Sequence, residues 1–389
     1  MTKPQRKVRK WLNCLTYLSA LLGWSVSACA QAVTVANLSG DAAHQSGASL
    51  NQPKTGTPPS AFSVRLQRWF DFSKVMLATR YMYVENTAGA KTVNTVQHRQ
   101  DLFGRFKFDA AGRYSLNFSV QSGRRFTAGW NETGVGVKRG NLNLYLKHLY
   151  LSAQPVKGLE LQYGSFDFLR GAATEITTYN NDGFLSGQRV IVRRPRELFF
   201  DEIAYTAGYF GDLTTPNLNR RYHRLKQVNY HQFILSKKLG ERAQASADYT
   251  FVGGADILRQ AVKINTPELR VFDSLRLELY ERLDGAVLGQ ADMGFALLGE
   301  KILKKNWTLT GGYTQIDPRY GNVNADRVFQ GKHLYGLVTY QLTPDITLSV
   351  FTSRILDEPR QPLLPVRVRS EVFVRYNLLK ALQRTGWLK

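Results

Sequence analysis

The chain has 389 residues, with 52 Lys and Arg against 30 Asp and Glu, a formal net charge of +22, and 43% hydrophobic residues. Its mean hydropathy of −0.30 is too polar for a bundle of membrane helices, and no apolar run long enough to span a bilayer follows the amino terminus. A barrel strand needs an apolar residue only at every second position, so this composition still permits a membrane-crossing β structure.

Residues 1–10 (MTKPQRKVRK) are basic and Trp11 to Val26 is mostly apolar. Small residues follow, and Ala28-Cys29-Ala30 fits an A-x-A cleavage pattern, so 1–30 reads as a secretory signal peptide. Val26-Ser27-Ala28-Cys29 also resembles a lipoprotein box, which would lipidate Cys29. Cys14 and Cys29 are the only cysteines, so cleavage after Ala30 leaves a mature chain with neither disulfides nor thiolate metal sites. Residues 31–61 are rich in Ala, Ser, Gly, Thr and Pro and read as a disordered periplasmic leader. The aromatic-rich segment 62–73 reads as a short lead-in.

From Lys74 the dominant signal is period two. Arg113, Ser115, Asn117, Ser119 and Gln121 alternate with Tyr114, Leu116, Phe118 and Val120. The same holds for Arg242 to Phe251 and for Val366 to Asn377. Each such segment has one apolar and one polar face. Template matching gives roughly sixteen strands, within a range of about fourteen to eighteen. They fall near 74–84, 96–108, 113–122, 141–152, 159–166, 188–194, 197–210, 226–237, 242–252, 256–264, 270–282, 289–300, 306–316, 332–342, 346–356 and 365–378. Tight turn sequences at 109–112, 155–158, 239–241, 266–268 and 343–345 are interspersed with longer polar stretches at 85–95, 123–140, 167–187, 211–225, 317–331 and 357–364. Brief turns on one side and long loops on the other are the asymmetry of an all-β, antiparallel, up-and-down transmembrane barrel, here over residues 74–382 with a tail at 383–389. A soluble sandwich would share the alternation. Aromatics near strand ends (Tyr81, Tyr83, Trp130, Tyr145, Tyr150, Tyr205, Tyr209, Trp307, Tyr313, Tyr340 and Tyr376) sit where a membrane girdle would place them.

By this pattern the chain from Lys74 to Leu382 resembles a Gram-negative outer-membrane porin of about sixteen strands. Phe373, Tyr376 and Leu378 resemble the closing aromatic signal of such barrels, although residues 380–389 run past it. The resemblance implies an exported outer-membrane protein, folded by the barrel assembly machinery, lying in outer-membrane lipid and lipopolysaccharide and often forming a homotrimer. It also implies passive diffusion of small hydrophilic solutes through a water-filled barrel.

Parity assigns the lumen wall. Arg99, Asp101, Arg105, Lys107, Arg113, Asn117, Lys147, Arg242, Asp248, Arg276, Glu278, Arg367, Arg369, Glu371 and Arg375 are expected to line it, with basic groups in excess. Such a wall favours small anionic solutes. In porins the long loop after the fifth strand folds inward. The matching stretch here, 167–187, is expected to form the constriction with Asp167, Arg170, Glu175, Tyr179 and Asp182, although it lacks the family's proline-initiated acidic motif. The alternatives are a substrate-specific uptake channel for acidic sugars, carboxylates or phosphate, a barrel scaffold or adhesin, and an outer-membrane enzyme. Against an enzyme, His148 shares parity with the lipid-facing Leu144 and Leu146. His231 and His333 are expected in the lumen, in no nucleophile or metal spacing. No cofactor, metal or nucleic acid is expected as a partner.

Overall fold

The computed structural model describes residues 69–123, 130, 144–177, 183–193, 198–211, 217–283, 293–304, 306–316, 331–356 and 366–385. The expected signal peptide and leader (1–61), residues 62–68 of the expected lead-in, Tyr179, Asp182 and residues 386–389 lie outside them.

Sixteen antiparallel strands follow one another: β1 (Phe70–Asn86), β2 (Lys91–Lys107), β3 (Tyr114–Ser122), β4 (Leu144–Ala153), β5 (Leu159–Phe166), β6 (Leu185–Val192), β7 (Glu202–Tyr209) and β8 (Tyr230–Leu239). The second half comprises β9 (Ala243–Val252), β10 (Ala255–Asn265), β11 (Ser274–Arg282), β12 (Met293–Leu303), β13 (Trp307–Ile316), β14 (Gly331–Gln341), β15 (Ile346–Ile355) and β16 (Val366–Asn377). Each pairs with its sequence neighbours, and β1 pairs with β16, with Met76 opposite Asn377 and Val84 opposite Arg369. The sheet is thereby a closed barrel, and no strand edge is left unpaired.

Three features depart from the sequence reading. The polar stretch 85–95 is not a long loop. β1 and β2 continue to Asn86 and from Lys91, and a tight turn joins them. Asn86 closes it: its Oδ1 accepts from Ala90 N at 2.9 Å, and Gly89 takes the left-handed φ of 77°. The polar residues there belong to strands of 17 residues, longer than a membrane crossing of about ten requires. At the amino-terminal end Phe70–Ser73 already belongs to β1, with a register shift between Phe72 and Lys74. At the other end β16 stops at Asn377, and residues 378–382 are helical rather than barrel wall. There Leu378, Leu379 and Leu382 break the period of two. Asn377 Oδ1 caps the helix by accepting from Lys380 N at 3.0 Å, and Arg384 pairs with Asp345 in the β14–β15 turn.

Two short helices are thus present among the described residues: α1 (Leu218–His223) between β7 and β8, and α2 (Leu378–Arg384) after β16.

Candidate functional site: the barrel lumen

The two faces of the wall differ in chemistry. Leu77, Val96, Phe106, Leu151, Tyr163, Leu277, Leu297, Leu334, Val350 and Val372 are exposed on the outside. Near the rim that carries the chain ends, Phe70 stacks within 4.7 Å of Phe106, and Trp307 within 4.4 Å of Tyr340. Fully exposed to water, each such side chain would forgo about 1.5–3 kcal/mol of burial, so this outer belt calls for a hydrocarbon surround. The inward face buries Arg80, Gln97, Asp101, Ser119, Gln121, Lys147, Arg189, Gln232, Asp248, Arg259, Glu278, His333, Arg369 and Glu371.

Most of the wall residues expected from parity stand on this inner face, and acids hold most of the bases. Asp101 takes Lys74 at 2.7 Å and Arg99 at 2.8 Å. Asp71 takes Arg105 at 2.9 Å and Lys107 at 3.1 Å. Glu371 holds Arg369 and, at 3.4 Å, Arg80. Asp248 binds Arg259 at 2.9 Å. Asn117 donates to Ser115 at 3.0 Å, and Lys147 is fully buried. Arg375 lies over the Phe373 ring at 4.7 Å, and Arg367 reaches Glu85 at 3.5 Å. Arg113 and Arg242 differ from expectation: both precede their strands and sit in turns, bound to Asp109 at 3.2 Å and Glu268 at 2.9 Å. The backbone N–H of Tyr114 and the Arg113 guanidinium hold the Asp109 carboxyl below the usual aspartate range. Asp71 was missed because it lies in the aromatic lead-in, where no clean alternation marks a face.

Two histidines also correct the parity reading. The β3–β4 register shifts between Ser119 and Val120, pairing Ser119 with His148 and Val120 with Leu146. Lys147 is the extra residue of this bulge, so the inward parity changes there and both Lys147 and His148 turn inward. His148 bonds Ser119 Oγ at 2.7 Å and the Gly183 carbonyl at 2.8 Å. His231 points the other way, onto the outer face beside Tyr205 at 2.8 Å. Its strand is apolar at both parities (Phe233, Ile234, Leu235) and gives no clean alternation to read. His333 is buried on the inner face.

The stretch after β5 crosses the inner wall. Arg189 donates to the Asp167 carbonyl at 2.6 Å, and Gln232 to that of Leu169 at 3.0 Å. Ala172 N and Ala173 N donate to Ser236 Oγ and Ser246 Oγ at 3.2 and 3.3 Å. Gly171 lies so close to Ser246 that an added Cβ would come within 2.6 Å of its side chain. The segment then closes on one buried carboxylate. Glu278 Oε1 accepts from Glu175 N at 2.7 Å and Ile176 N at 3.0 Å. Its Oε2 accepts from Ile176 N at 3.0 Å, Thr177 N at 2.9 Å and Thr177 Oγ1 at 3.0 Å. Three successive N–H groups make a nest around a wall anion. Arg259 completes the anchor by donating to the Thr177 carbonyl at 2.5 Å, while Glu175 turns its own side chain to Arg276. Arg170 is half-buried on the same stretch.

Trp130, Tyr145 and Tyr150 depart from the girdle expectation: the two tyrosines stand opposite Gln121 and Asn117 on the inner face of β4, and Trp130 is also inside. Trp130, from the connection after β3, is buried against the wall, 4.8 Å from Arg80 and 5.9 Å from the Phe373 ring. Arg221 of α1 is buried over Phe184 at 4.3 Å and donates to the Lys147 carbonyl at 2.8 Å. Beside the anchored segment lies a cavity of about 260 Å³, lined by Glu175, Ile176 and residues of β10 to β15. No cluster of three or more His, Cys, Asp or Glu able to hold a metal occurs among the described residues.

No family model matches the sequence, and no curated protein is similar to it. Solved structures are. One is Salmonella typhi OmpF in complex with daunomycin, at 10% identity over 79% of this chain and 97% of that one, with a TM-score of 0.52. A mutant of the Rh. blastica porin is similar at 11% identity over 79% of this chain and 99% of that one, with a TM-score of 0.47. Acinetobacter baumannii OccAB4 is similar at 13% identity over 79% of this chain and 97% of that one, with a TM-score of 0.46. The fold is therefore a porin-like, closed, sixteen-stranded antiparallel β-barrel.

Proposed function

We propose that the protein is an outer-membrane channel through which small hydrophilic solutes diffuse passively. One observation carries the reading: a closed sixteen-stranded wall, apolar outside and lined with ionised and hydrogen-bonding groups inside. Sixteen strands give a tube too wide to be filled by wall side chains alone. The segment 167–177, tied to Glu278, then sets the bore, and Asp167, Arg170 and Glu175 stand on it with Tyr179 and Asp182 further along the same connection. The signal peptide exports the chain, the assembly machinery inserts it, and it works as a homotrimer in outer-membrane lipid. Outer-loop bases such as Arg220 and Arg224 meet lipopolysaccharide.

The lumen favours anions. Asp71, Asp101 and Glu371 each hold two bases, so every one of these groups carries net positive charge into a space where water screens poorly. The barrel is read as a conduit rather than a catalyst. Ser119 and His148 touch, but Ser119 is fully buried and the second ring nitrogen of His148 is spent on Gly183, leaving no site for a substrate. Single-channel recording in planar bilayers tests the reading, since a channel gives discrete conductance steps, whereas a scaffold of the same fold gives none.

A further inference from the structure

We propose that the lumen cavity beside Arg276 binds small zwitterions with an apolar body, of the kind and size of an aliphatic amino acid. This narrows the channel reading to a solute class and rests on it. The cavity measures about 260 Å³. At about 30 Å³ for each water, that is room for roughly nine waters, or for one such molecule.

The lining changes character from strand to strand. Lys263 on β10 and Arg276 on β11 are cross-strand partners. Glu300 on β12 stands opposite Ser274. The far side is closed by Leu298 and by Leu337 and Phe351, themselves cross-strand partners on β14 and β15. Of the four charged groups around the cavity, Arg276 and Glu175 form an ion pair, and Arg276 also feels the Glu278 and Glu300 carboxylates. The side chains of Lys263 and Glu300 have neither an ion-pair nor a hydrogen-bond partner among the described residues. Arg276 Nε also lacks an acceptor although it is buried.

One unpaired ammonium, one unpaired carboxylate and one spare guanidinium N–H therefore surround a cavity whose remaining wall sets Ile176, Leu298, Tyr335, Leu337 and Phe351 beside the hydroxyls of Ser274, Thr308, Thr310 and Thr339. A ligand carboxylate meets Lys263 and Arg276 Nε, and a ligand ammonium meets Glu300. Its hydrocarbon part lies against the half-buried Leu337, beside the almost fully buried Leu298 and Phe351, removing apolar surface from water. Leu298, Leu337 and Phe351 also belong to the apolar cluster that packs Ile176 of the inward segment against the wall. A simple anion site would not place Glu300 beside the two cations.

The test is a comparison of four probes on the folded, purified protein in detergent, read by calorimetry or saturation-transfer NMR. Leucine offers all three features, glycine lacks the apolar body, isovalerate lacks the ammonium, and isoamylamine lacks the carboxylate. Leucine should bind at least about tenfold more tightly than each of the others, the usual discrimination for one lost complementary contact. Lys263→Ala and Glu300→Gln should each weaken leucine at least about fivefold, with the heat-modifiable gel shift of a folded barrel retained. Equal binding of leucine and glycine, equal binding of leucine and isovalerate, or no binding of any probe would each overturn the proposal. Unchanged leucine affinity in both variants would do the same. Conductance measured on the same sample separates the two readings. A protein that conducts but binds none of the four refutes the zwitterion site alone, and one that binds leucine but never conducts refutes the channel.

Discussion

Substituting Glu278→Gln probes the anchor of the lumen segment directly. The carboxylate accepts from three consecutive backbone N–H groups and one hydroxyl, at 2.7 to 3.0 Å, in a fully buried position. Glutamine preserves the shape and one acceptor oxygen. It also places an NH2 group where Oε2 received Ile176 N, Thr177 N and Thr177 Oγ1, so donors face donors. Hydrogen bonds to a charged acceptor contribute about 1.5–3 kcal/mol each. Losing two of them costs the docked state about 3–6 kcal/mol, a shift of at least about a hundredfold in the opening equilibrium. Hydrogen exchange read by mass spectrometry should show peptides covering 171–177 exchanging faster by that factor, while the β-strand peptides stay protected. Single-channel records of the same variant should show altered conductance and greater open-channel noise. Exchange within about threefold of the unsubstituted protein would refute the argument that Glu278 holds the segment to the wall.

Four other outcomes follow from the geometry. An alanine at Gly187 would place its Cβ 2.1 Å from the Ala207 carbonyl oxygen, so Gly187→Ala should lower stability by at least about 1–3 kcal/mol and depress the thermal gel-shift midpoint. At Gly311 an added Cβ meets nothing within 4 Å, so Gly311→Ala should leave that midpoint unchanged. Neutralising Arg105 and Lys107 together strips Asp71 of both partners, and reversal potentials under a salt gradient should move toward cation selectivity. Asp273, in the β10–β11 turn, accepts from Lys301 Nζ at 2.7 Å and Ile302 N at 2.6 Å, and these bonds hold its carboxyl below the usual aspartate range. Its contribution to stability is therefore complete above about pH 4 and is lost as pH falls through the lowered folded-state value. Asp273→Asn should flatten the acid limb of the stability curve, and an NMR titration midpoint at or above the ordinary value would contradict this.

Strand number and strand order were legible in the sequence because most wall segments show one apolar and one polar parity along the strand. Legibility failed where that periodicity is interrupted. The bulge at Lys147 inserts one residue and reverses the reading for His148. A strand apolar at both parities hid the outward turn of His231. Lys91 to Thr95 looked like loop because polar residues suit both a loop and a hairpin projecting past the membrane, and only the Asn86–Gly89 turn geometry decides between them. The sequence marked where an inward segment would fall, but not what would hold it. Glu278 reads as one more wall acid until the backbone of 175–177 is seen to enclose it. Trp130 and Asp71 belong to stretches without alternation: place alone made Trp130 look like a girdle aromatic, and Asp71 had no face to be assigned. Lys263 and Glu300 do sit on assignable strands, but what distinguishes them is the absence of a hydrogen-bond or ion-pair partner among the described residues, which no periodicity records.

The central claim is that the barrel encloses a conducting aqueous path. Purified protein, shown to be folded by its heat-modifiable gel mobility, is inserted into a planar bilayer between unequal potassium chloride solutions. Discrete, ohmic current steps with a reversal potential displaced toward that of chloride are the expected result. A membrane that stays silent over folded protein, or one whose reversal potential tracks potassium, would contradict the channel in the first case and its anion preference in the second.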